Sequence, residues 1–71
     1  MVNVRFLFRD DSVIDCKNVI SISNSRTEGT ISGDQILSGY FPINANYYLK
    51  SDDESYSISC ENLKSIYITK I

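Results

Sequence analysis

Val2, Val4, Phe6 and Phe8 alternate with Asn3, Arg5, Leu7 and Arg9. A period of two is the signature of a half-buried β-strand, because successive side chains point to opposite faces. Asp10-Asp11-Ser12 then reads as a turn, where short carboxylates bond nearby amides and tolerate tight backbone angles. The return strand sets Ile14 and Cys16 on one face, with Val13, Asp15 and Lys17 on the other. A similar order recurs downstream. Ala45, Tyr47 and Leu49 oppose Asn46, Tyr48 and Lys50, and Ser51-Asp52-Asp53-Glu54 forms a second acidic turn. Tyr56, Ile58 and Cys60 share a face, and a final strand turns Ile66 and Ile68 inward against Tyr67, Thr69 and Ile71.

The two halves correspond in detail. Placing Cys16 on Cys60 sets Asn18 on Asn62, Val19 on Leu63, Ser21 on Ser65 and Ile22 on Ile66. Leu63 and Ile66 both belong inside yet lie three residues apart, which a continuous strand cannot place on one face. A tight 3₁₀ turn over residues 61–64 reconciles them, since it repeats every three residues. The same break is expected between Val19 and Ile22. Between the halves, residues 24–39 begin polar and carry the chain's three glycines, which marks a loop. Asp34-Gln35-Ile36-Leu37 fits either one helical turn stopped by Gly39 or a strand running on to Phe41. The strand is the favoured reading, and Pro42 ends either.

Hairpin, acidic tip, strand, tight turn and last strand, over residues 45–71, resemble the C-terminal half of SH3-like small barrels. The resemblance is one of pattern and carries no family motif. The expected fold is therefore all-β: a small SH3-like barrel, or a two-sheet β-sandwich, built from two pseudo-repeated hairpins in one domain spanning residues 1–71. Its interior is expected to hold Phe6, Ile14, Leu49, Ile58 and the two cysteines.

Composition fits such a domain. Of the 71 residues, 42% are hydrophobic, with three Phe, five Tyr and no Trp. A chain this short buries only about 60% of the surface its unfolded form exposes, so its core must be compact. The net charge of −2 and pI near 4.8 weigh against broad electrostatic binding to nucleic acid, which wants a basic face. No apolar run approaches the roughly 20 residues of a membrane helix. The first residues lack the basic start, apolar stretch and small-residue cleavage site of a signal peptide. A cytoplasmic location is expected.

The chemistry on offer is sparse. Without histidine the usual acid–base group near neutral pH is missing. The acidic residues sit at hairpin tips, with nothing to hold two carboxylates across a cleft. No nucleophile elbow or phosphate-binding glycine loop is present. The expectation is a non-enzymatic protein with no cofactor and no metal. The acidic tips read as solvated turns, because a calcium loop alternates more oxygen ligands around a glycine. Cys16 and Cys60 read first as small buried hydrophobes in a reducing compartment, with a disulfide between the matched positions as the alternative.

The aromatic residues suggest more. Leu7, Tyr48, Tyr67 and Ile71 fall on faces that should be solvated, and Tyr40 and Phe41 flank the Pro42 loop. Grouped apolar and tyrosine side chains mark partner surfaces. Those six residues are the candidate partner-binding set. The expected function is a small protein–protein interaction module, of the kind found among bacterial or phage accessory and inhibitor proteins. Homo-oligomerisation is expected, because the terminal strands leave a sheet edge open. The alternative is single-stranded nucleic-acid binding by Arg5, Arg9 and Lys50 with Tyr48 and Tyr67, since small barrels stack bases on outward aromatics.

Overall fold

A computed structural model describes residues 1–71. Six strands form one antiparallel sheet: β1 (Val2–Phe8), β2 (Val13–Asn24), β3 (Ile31–Ser32), β4 (Tyr47–Ser51), β5 (Ser55–Ile58) and β6 (Leu63–Lys70). The strand order is β5-β4-β2-β1-β6, with β3 added to β2. The fold is all-β, as the alternation predicts. The sheet is not closed, however, and no second sheet forms: β5 and β6 stand at its two ends without a further neighbour.

The alternation of β1 holds. Val2, Val4 and Phe6 are buried, and they join Cys16, Val19, Ile22, Tyr47, Leu49, Ile58 and Leu63 in one core. Phe6 of β1 lies 5.6 Å from Tyr47 of β4, ring centre to ring centre, although β2 separates those strands in the sheet. The sheet therefore bends over its own inner face. Ile14 is a correction. It stands opposite Phe6 but is 40% exposed. β4 covers β2 only from Val19 onward, so the start of β2 has no strand on its far side.

The bend has a visible cause in the register. Val2 pairs with Val19 and Val4 with Cys16, so β2 carries one residue more than β1 across that interval. A second offset against β4 falls at Ile20, and a third in β6 falls at Lys64. Each is a β-bulge, which bends the strand and increases its twist. Bulges also let Val19 and Ile22, and Leu63 and Ile66, face inward while three apart. The expected 3₁₀ turn is thus corrected in both halves. In the first half β2 runs on through Val19 without a turn. In the second, the turn spans Cys60–Leu63, where the Leu63 amide donates to the Cys60 carbonyl at 3.1 Å.

The acidic turns behave as hairpin tips. Asp10 Oδ1 accepts from the Ser12 amide at 3.0 Å and from its hydroxyl at 2.6 Å, which holds the Asp10 carboxyl below its ordinary range. At the second tip Ser51, not an acid, organises the turn: its Oγ accepts from the Glu54 amide at 3.0 Å. Residues 34–41 correct the favoured strand reading. Gly33–Ser38 is a 3₁₀ helix, following the two residues of β3, and it drives Ile36 fully into the core. The helix buries Ile36 and leaves its neighbour Leu37 on the exposed side.

Candidate functional site

The outward side chains of β1, β6 and the first half of β2 align in cross-strand rungs. Asp15, Arg5 and Tyr67 form the central rung, since Arg5 pairs with Asp15 on one side and Tyr67 on the other. Val13, Leu7 and Ser65 form the next. Arg5 bridges Asp15 through two bonds, Nε to Oδ1 at 2.7 Å and Nη2 to Oδ2 at 3.2 Å. That fork holds the Asp15 carboxyl below its ordinary range. Both side chains remain exposed, so the pair orients the face more than it stabilises the fold. The Arg5–Asp15 pair is the chain's one salt bridge, and the Lys17 charge also acts on Asp15 without bridging it. These rungs line an open depression of about 650 Å³.

The outer face of β2, β4 and β5 is of different character. Tyr48 lies between Ser23 and Ser57, and Lys50 lies between Ser21 and Ser55. A smaller hollow of about 280 Å³ covers this region. Hydroxyls dominate it, with one aromatic ring and one ammonium on the central strand.

The six candidate residues do not gather into one patch. Leu7 and Tyr67 meet in the larger depression, whereas Tyr48 belongs to the serine-flanked face. Tyr40 is 79% exposed in the connection before β4. Phe41 beside it turns inward against Tyr47, ring centres 6.2 Å apart, in contact with the core. Ile71 is exposed past the end of β6. Val13 was missed by the sequence reading. It sits on the expected outward face of β2, and only the register shows that it stands across from Leu7.

Both thiols are free, so the disulfide alternative is not realised. Cys16 is fully buried, and burial pushes its thiol up to about 11, with the nearby Asp15 and Glu54 charges acting in the same direction. A thiol so raised is a poor nucleophile. Cys60 sits in the last turn, where its amide donates to Asn46 Oδ1 at 3.0 Å. No cluster of three or more cysteine and carboxylate side chains is placed to hold a metal ion. No helix is long and apolar enough to cross a membrane. Comparison with family models, curated proteins and solved structures finds no match to this chain.

Proposed function

We propose that the chain is a small non-enzymatic protein–protein interaction module of the SH3-like barrel type. The barrel description draws on the bulged bend of β2, which carries Phe6 onto Tyr47 across the interior. The docking surface is the outer face of β1, β6 and the start of β2. One observation carries the reading: Leu7, Val13 and Tyr67 line the same open depression, Val13 directly across from Leu7 and Tyr67 one rung along beside Arg5. Tyrosine and short aliphatic side chains supply contact area at small entropic cost. Arg5 and Lys17 against the single Asp15 leave this depression one positive charge in excess, and the fitting partner presents an acidic group next to an apolar one. Two free thiols suit a reducing compartment such as the cytoplasm.

A pull-down from native host lysate tests this, with the double variant Leu7→Ser, Tyr67→Ser beside the wild type. A partner lost on substitution supports the surface; a partner kept at full strength refutes it. The second reading, single-stranded nucleic acid, draws on Tyr48 and Lys50 sharing one face of β4. Oligonucleotide titration at two salt concentrations decides it: a steep salt slope supports it, and absence of binding at low salt removes it.

A further inference from the structure

We infer that copies of this chain assemble head to tail, the β5 edge of one pairing antiparallel with the β6 edge of the next. The inference rests on the reading of the chain as an interaction module and names a partner for a different part of it. The two ends of the sheet are unpaired, and a row of free backbone donors and acceptors is a template for another strand. The residues that the core leaves only half covered include the inward side chains of these same strands: Tyr56 on β5, Ile66 and Ile68 on β6.

The edges also differ in charge. β6 carries Lys64 and Lys70 and no acid, while β5 leaves the acidic tip Asp52-Asp53-Glu54. Pairing β6 with a second β6 about Tyr67 keeps Ile66 against Ile68, but sets Lys64 over Lys70 at both ends. Like charges directly opposite destabilise a pair of strands. Pairing β5 with β6 has no such conflict. One register sets Glu54 across from Lys70 of the next copy. The same register sets Tyr56 across from Ile68, Ile58 from Ile66, and Ser57 from Tyr67. Inward residues then meet inward residues and outward meet outward, as strand parity demands. The half-covered apolar row becomes continuous across the junction.

Such a contact uses different surfaces on the two copies, so each added copy leaves one edge of each kind free. A closed ring, in which every β5 edge meets a β6 edge, satisfies both.

Sedimentation velocity and native mass spectrometry on the purified protein test this without any host factor. The wild type is expected to give a discrete closed oligomer that weakens at high salt. Glu54→Lys and Lys70→Glu, each replacing attraction with repulsion, are expected to weaken association roughly tenfold per contact. The double swap Glu54→Lys, Lys70→Glu is expected to restore it. Both positions are exposed, and circular dichroism confirms that each variant stays folded. A wild type that stays monomeric at its highest soluble concentration overturns the inference, as does a swap that fails to rescue. Either of these leaves the outer-face reading standing, because that reading is judged on lysate capture through Leu7 and Tyr67.

Discussion

Asn18 and Asn62 hold the same left-handed backbone conformation, with φ of +56° and +62°. They occupy matching points of the two Cys-x-Asn-aliphatic segments. In each, the asparagine lets the chain reverse its face so that the next aliphatic, Val19 or Leu63, drops into the core. The first copy does this inside a strand and the second inside a turn, so the shared sequence encodes a local kink and the surroundings decide its use. Asparagine tolerates this region better than other residues carrying a Cβ.

Replacing either asparagine by alanine is therefore expected to destabilise the fold by about 1–2 kcal/mol, the cost of a left-handed Cβ. Glycine at the same positions should keep most of the stability, since it enters that region freely. Urea unfolding of the four variants measures this. Alanine and glycine variants of equal stability would show that the side chain, not the backbone angle, matters.

Ile36 gives a second prediction. It is fully buried while its neighbour Leu37 is 42% exposed. Ile36→Ala should cost about 2–5 kcal/mol. A domain of this size holds only a few kcal/mol in all, so a large unfolded fraction is expected at 25 °C. Leu37→Ala should stay within about 0.5 kcal/mol. Thermal melts followed by circular dichroism compare them, and similar losses from both would place the 3₁₀ segment outside the core.

The two ribbons were legible in the sequence because period-two alternation survives in β1, β4 and β6 almost residue by residue. Ile14 was misjudged because parity reports which face a residue takes, not whether a neighbour covers that face. The 3₁₀ segment was misread for a related reason: one apolar pair, Ile36-Leu37, has no period, so helix and strand templates fit it equally well. At the candidate site, Leu7 and Tyr67 could be singled out as outward apolar residues. Their meeting with Val13, and their separation from Tyr48, depend on register and bulges, which the alternation does not encode.

Gly39 is constrained by packing rather than by its backbone angle. A Cβ added there would sit 2.8 Å from Phe41 Cζ, and Phe41 is itself pressed on Tyr47. Gly39→Ala should therefore cost about 1–3 kcal/mol through the displaced ring. In a Phe41→Leu background, where the ring is gone, Gly39→Ala should cost less than it does in the wild type. Strictly additive losses in the double variant would contradict a direct clash.

The buried thiol sets an alkaline limit on stability. Cys16 is raised in the folded state from an ordinary value of 9.0 to about 11, and Tyr47, also through burial, to about 12. In both cases the folded chain keeps a proton that the unfolded chain has already lost. The unfolded state then binds fewer protons, so stability must fall with rising pH. The contribution is whole below about pH 9 and is lost progressively as pH climbs through 11 and 12. Urea midpoints measured from pH 8 upward should decline across that window, and Cys16→Val should flatten its lower part. At pH 8 a thiol reagent should modify Cys60 quickly and Cys16 only on unfolding. Rapid labelling of both cysteines in the folded protein would mean that Cys16 is reached by solvent, and the pH argument would fail with it.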